Sequence, residues 1–149
     1  MAVQGTRNNV NKPFIVGGQG YVKRGTVAQI PGRGTTAMAI HTLMGYNPST
    51  KKWVPYTNVS ATDGTQRPCG ILMQSLTAAS LVAGDVTDVA ILIGNAVIDD
   101  GLLVLENSVT LASIITVPTN VAITVEDAMR QAGIYCASTI DITEYAEIS

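Results

Sequence analysis

His41 is the only histidine in the 149-residue chain, so a general base working near neutral pH through an imidazole would have to be built around it. It stands in the string Ala-Met-Ala-Ile-His-Thr-Leu-Met, which reads as a strand residue bonded to backbone rather than a catalytic base. No Gly-x-Ser-x-Gly string offers a nucleophile on a strained elbow. The nearest approach to clustered carboxylates is Asp99-Asp100 and Glu126-Asp127. Adjacent strand residues point to opposite faces, so Asp99 and Asp100 would not converge if extended, and before Gly101 they read as a turn. Asp85 and Asp88 follow Gly84 without the spacing or closing Glu of a calcium loop. The Gly17-Gly18-Gln19-Gly20 run lacks the Lys-Ser/Thr and strand–helix setting of a phosphate cradle. Cys69 and Cys136 are too few and too far apart for a zinc site or a disulfide framework, and read as small buried hydrophobes. These residues predict no catalytic site, no metal and no cofactor.

The composition points elsewhere. Charged residues make up 13% of the chain, where about 25% is usual, while 46% is hydrophobic. A chain so poor in charge must bury more than usual or leave apolar surface for partners. Residues 1–67 carry eight basic side chains and one acid, a net of +7; residues 68–149 carry Arg130 and ten acids, a net of -9. Such a split can pair one subunit with the next, or simply mix over one folded surface. The basic residues are scattered rather than striped, and the pI of about 5.2 speaks against nucleic acid. Residues 107–125 are uncharged but interrupted by Pro118 and Asn120 and rich in Thr and Ser, which argues against a membrane span. The N-terminus has no apolar run of signal-peptide length, so the chain is expected to fold in the cytosol of the cell that makes it.

The elements predicted from pattern are mostly strands, because Val, Ile and Thr dominate and suit a half-buried pleat. Residues 1–20 read as an arm, with apolar side chains Val3, Val10, Phe14, Ile15 and Val16 in a polar, glycine-rich context and Tyr21 at its junction with the body. Residues 21–149 read as one β-rich domain. Predicted strands are 26–30, 37–45, 52–56, 69–74, 86–98 and 102–106, separated by turns at Pro31-Gly32, 47–50, Asp63-Gly64 and Gly84-Asp85. One helix is predicted after Thr124, with Glu126 and Asp127 in its first turn and Gly133 at its end, followed by strand patterns at 134–137 and 140–142. This spacing predicts a small barrel or sandwich. Trp53, Tyr56, Ile71 and Leu72 are its candidate core or subunit-contact residues, with Trp53 expected to be mostly buried.

The stretch TLMGYNPSTKKWVPY at 42–56, followed by ATDGTQRPCGILMQ at 61–74, resembles the head decoration proteins of lambda-like tailed phages. That family carries an L-M strand, a Ser/basic turn, an aromatic-containing strand, a DG loop and a G-I-L strand. Here they would be Leu43-Met44, Ser49 to Lys52, Trp53 to Tyr56, Asp63-Gly64 and Gly70-Ile71-Leu72. AGDVTDVAILIGNAVI and RQAGIYCAS are similar to later strands of the family, while residues 107–125 have no counterpart in the pattern. The resemblance implies a small mixed β, tulip-like domain with one or two short helices and an extended N-terminal arm. It implies homotrimers at three-fold and quasi-three-fold positions on the capsid exterior, stabilising the mature shell and assembled in the host cytoplasm. The partners would be the major capsid protein, met by the arm's Val3, Val10, Phe14, Ile15, Val16 and Tyr21, and other copies of the chain. No nucleic acid, membrane or small-molecule substrate is expected. Two other readings compete: a β-rich tail, fibre or carbohydrate-binding module, for which Trp53, Phe14 and five tyrosines supply few aromatics, and a small enzyme resting on His41.

Overall fold

The computed structural model describes residues 13–117 and 122–139, so Val3, Val10 and the strand expected at 140–142 lie outside the described residues. The protein is mainly β. Five strands close a barrel in the order β2 (Tyr21–Val27), β4 (Lys52–Pro55), β3 (Leu43–Asn47), β5 (Pro68–Leu72) and β6 (Val86–Gly94). β3 and β4 are a hairpin whose turn is set by Asn47: its side-chain oxygen accepts from the backbone N–H of Ser49 (2.9 Å) and Thr50 (3.2 Å), and Lys51 takes a left-handed φ of 60°. The side-chain period of two then sorts the barrel's residues between two cores. Val27, Met44, Leu72, Val89 and Ile91 fill the barrel, with Met38, Leu76 and Leu81 packed among them. One position along the same strands, Leu43, Ile71 and Leu92 face the other way, toward a second core.

That second core is closed by a smaller sheet in which β7 (Ala96–Ile98) lies between antiparallel β1 (Ile15–Gly17) and parallel β10 (Ile134–Cys136). The short pair β8 (Ile114–Ile115) and β9 (Ile123–Thr124) leads into helix α2 (Val125–Gln131), while the shorter α1 (Ala78–Ala83) precedes β6. Thr124 caps α2 by accepting from Asp127 N–H at 3.1 Å, and Gly133 follows its end at φ 89°. α2 buries Val125, Ala128 and Met129 against Phe14, Tyr56, Ile98 and Ile134. Each such large apolar side chain contributes about 1.5–3 kcal/mol by leaving water.

Several expectations need correction. The strand expected over 37–45 is confined to Leu43–Asn47, because His41 has φ 73° and turns the chain; Met38 and Thr42 make only isolated bridges, to Leu76 and Val104. His41 is therefore a turn residue. The run expected at 86–98 is two strands in different sheets, split where Gly94 and Asn95 (φ 53°) redirect the backbone. Residues 102–106 hold a 3-10 turn over Asp100–Leu102 and an isolated bridge rather than a strand. β2 begins at Tyr21 rather than 26, and α1, capped by Thr77, has no predicted counterpart. The stretch expected to belong wholly to an arm enters the body at Phe14, which is buried at 6% exposure and stacks on the His41 ring with centroids 3.8 Å apart.

Candidate functional site

The segment from Phe14 to Val22 carries the chain from the small sheet into the barrel, and glycines make that crossing possible. Gly18 and Gly20 have positive φ, and a Cβ on Gly18 would sit 2.3 Å from the Asn95 carbonyl oxygen. Gly20 N–H donates to that oxygen at 2.8 Å. Strand alternation then decides which side chains face out. Ile15 packs on the second core, so Val16 points away from it and is 49% exposed. Ala96 and Ile98 are buried, leaving Val97 outward; Ile134 and Cys136 are buried, leaving Tyr135 outward at 39%. Val16, Val97 and Tyr135 thus form an apolar outer face on the small sheet. Tyr21 (57%) and Val22 (49%) extend the exposed apolar surface along the first part of β2.

β1 is also an edge strand. It pairs with β7 on one side only among the described residues, and Ile-Val-Gly offers none of the charges that usually guard an edge. A further extended segment could therefore add to it through main-chain hydrogen bonds.

The expected arm residues separate accordingly. Phe14 and Ile15 anchor the segment inward, whereas Val16 and Tyr21 face solvent. Tyr56, Ile71 and Leu72 are buried at 1%, 0% and 0%. The Tyr56 hydroxyl donates to the Gln66 carbonyl at 2.7 Å, and burial pushes its pKa up to about 12. Trp53 is partly buried and packs against the barrel core: its indole lies across Gly25 and Gly70 at the open side of the barrel, tilted against Tyr46 at 5.0 Å. Val22, Val97 and Tyr135 were not named from sequence. The Ile-Tyr-Cys triplet, one aromatic between two inward apolar residues, was the signal available for Tyr135.

The opposed charges of the two halves meet within the molecule. Arg33 forms a two-pronged contact with Glu106, 2.7 Å to each carboxylate oxygen, and also donates to the Thr36 and Ala37 carbonyls; Glu106 raises its pKa. Lys52 reaches Asp85 at 2.6 Å, and that carboxylate also accepts from Gln29 N–H, which together hold its pKa below the usual carboxylate range. Loss of solvent lowers the pKa of His41 despite an opposing backbone hydrogen bond to Leu102. Burial pushes the Cys136 thiol up to about 12, with Asp100 and Glu126 adding to the effect. Among the described residues no group of three or more His, Cys, Asp or Glu could hold a metal ion, and no helix is long and apolar enough to cross a membrane. What the exposed site offers is apolar surface and a strand edge unpaired among the described residues, the chemistry of adhesion.

The family model of the bacteriophage lambda head decoration protein D matches residues 4–117. The match takes in the whole barrel, β1, β7 and β8, and leaves out α2 and β10. Neither the curated proteins nor the solved structures gave a match. The chain belongs to the bacteriophage head decoration family, and it is a structural, capsid-associated protein of the virion.

Proposed function

We propose that the protein cements the phage head from outside, as trimers at three-fold and quasi-three-fold positions that stabilise the mature shell. The observation that carries this reading is the unguarded β1 edge beside an exposed apolar face, reached directly from the first twelve residues of a decoration-family chain. The major capsid protein would supply the partner strand and apolar surface. Val3 and Val10, on the segment leading into β1, would extend the contact begun by Val16 and Tyr21. One such contact alone would be weak, since fixing an extended segment costs about 1–2 kcal/mol per residue. Three on one trimer raise the effective concentration, so attachment persists where a single contact would not. A protein that binds the assembled shell and not its dissociated subunits stabilises the shell by linkage.

The test is removal of residues 1–12, which keeps Phe14 and β1. The shortened protein should remain folded and fail to decorate expanded capsids in a sedimentation assay. Full-strength decoration would remove the segment from the mechanism. Affinity for glycans with none for capsids would instead favour a carbohydrate-binding module.

A further inference from the structure

The barrel closes unevenly. β2 pairs with β6 along its length, from Tyr21 opposite Gly94 to Val27 opposite Val86, but meets β4 in register only at Val27 and Trp53. Ala28 N–H to the Trp53 carbonyl, at 2.9 Å, reinforces that one point. Before it the two strands part. The gap is a cleft of about 560 Å³ lined by Lys23, Arg24, Lys51, Tyr46 and Trp53, and no carboxylate lines it. Arg24 donates to the backbone oxygen of Asp88; Lys23 and Lys51 have no ion pair among the described residues.

The acids elsewhere in the described body are largely engaged. Glu106 pairs with Arg33, Asp85 with Lys52, and Glu126 and Asp127 with Arg130, while Asp100 accepts from Ser138. The remaining concentration of negative charge is the segment 140–149, Ile-Asp-Ile-Thr-Glu-Tyr-Ala-Glu-Ile-Ser, with three acids and no base. Its opening Ile-Asp-Ile-Thr alternates in the manner of a strand.

We propose that the cleft between β2 and β4 receives the acidic segment 140–149 of a neighbouring copy, laid beside the open edge of β2 with its carboxylates toward Lys23, Arg24 and Lys51. This rests on the reading of the chain as a self-associating decoration protein. A neighbour is the donor because β10 runs parallel to β7, from Ile134 beside Ala96 to Cys136 beside Ile98. The chain thus leaves the small sheet at the end away from Gly94 and Asn95, whereas the cleft lies on the Ile93 side of that junction. To reach its own cleft the segment would have to reverse, using part of a reach of at most ~33–36 Å. Donation around a ring meets no such constraint and closes as a heterologous contact.

The test is a charge exchange. One full-length variant carries Lys23→Glu and Lys51→Glu; another carries Asp141→Lys, Glu144→Lys and Glu147→Lys. Each alone should self-associate about tenfold or more weakly than the parent by sedimentation, several exposed charge pairs having turned repulsive. Mixing them should restore association, since the reversed cleft of one now suits the reversed segment of the other. Parent-like association of either variant alone, or no recovery on mixing, overturns the proposal. A second readout uses Cys69, which also lines the cleft. Tyr145→Cys under mild oxidation should give covalent oligomers, in solution or on decorated shells, that vanish with Cys69→Ser. A cross-linked monomer would assign the segment to its own cleft and overturn the proposal. Decoration of capsids is scored on the same samples: normal decoration with no exchange effect sinks this inference alone, whereas absent decoration by the parent sinks the functional reading beneath it.

Discussion

Trp53 rests on two glycines whose role is close approach rather than unusual backbone. A Cβ on Gly25 would lie 2.7 Å from the indole nitrogen, and one on Gly70 would lie 2.6 Å from Cζ3 and 2.8 Å from the Ile91 side chain. Gly70 is itself buried, so the ring and Ile91 must both shift to admit a methyl group. Gly70→Ala should cost about 1–3 kcal/mol in denaturant unfolding; a change of only a few tenths would mean that the indole moves aside freely. His41 gives a different kind of prediction. Its ring lies flat on Phe14, at an interplanar angle of 7°, and desolvation holds its folded pKa below the ordinary 6.5. The unfolded chain therefore takes up the proton first as pH falls. The stabilising effect of a neutral His41 is complete above pH 6.5 and is lost as pH drops through the folded value. Melting curves at pH 7.5 and 5 should show a larger loss for the parent than for His41→Asn, which tolerates the left-handed φ. Equal losses would place the pH response elsewhere.

At the scale of elements, local chemistry was legible and tertiary competition was not. Thr124 before Glu126-Asp127, Gly133 after the helix, and Asp63 ahead of Gly64 announce their turns through bonds made within three residues. Thr124→Ala should accordingly cost about 1 kcal/mol, seen as a lower unfolding midpoint; no change would mean that tertiary packing alone holds α2. By contrast, in the run from Val89 to Ile98 only Gly94 and Asn95 interrupt the apolar residues, and because the strands on both sides of that bend contribute to cores, the pattern does not show that they belong to different sheets. α1 is too short to display a helical period. Phe14 resembles an arm residue in its polar neighbourhood, yet it is buried in the second core and stacked on His41, contacts far along the chain. The exposed site was half legible for the same reason: Val16 and Tyr21 stand out locally, whereas Val97 and Tyr135 become surface only once two distant strands pair. The bend itself can be tested. Asn95→Val forces a β-branched residue into φ 53° and should cost about 1–2 kcal/mol, while Asn95→Gly should be near neutral. Equal effects of the two would exclude backbone strain as the reason for asparagine.

For the whole molecule, the charge asymmetry and the apolar surface separate two kinds of contact that sequence alone merges. Arg33–Glu106 and Lys52–Asp85 join the basic and acidic halves inside one subunit, so part of the split serves folding rather than assembly. The outward face around Val16, Val97 and Tyr135 carries no charged side chain of its own on those three strands. The proposed attachment through this face and the β1 edge would depend on apolar burial and main-chain hydrogen bonds, which a shortened screening length leaves largely intact. At 1 M salt that length falls to about 3 Å, and contacts between exposed charges fade. Decorated shells should therefore keep the protein when washed at 1 M sodium chloride, as read from pelleted particles on a gel. Val16→Asp and Tyr135→Asp, placed on exposed positions where folding is little disturbed, should prevent decoration even at low salt because each buries an unpaired carboxylate against the capsid. If the salt wash strips the shells while both aspartate variants still decorate, charged groups elsewhere on the surface hold the protein to the head, and the small-sheet face has another occupant.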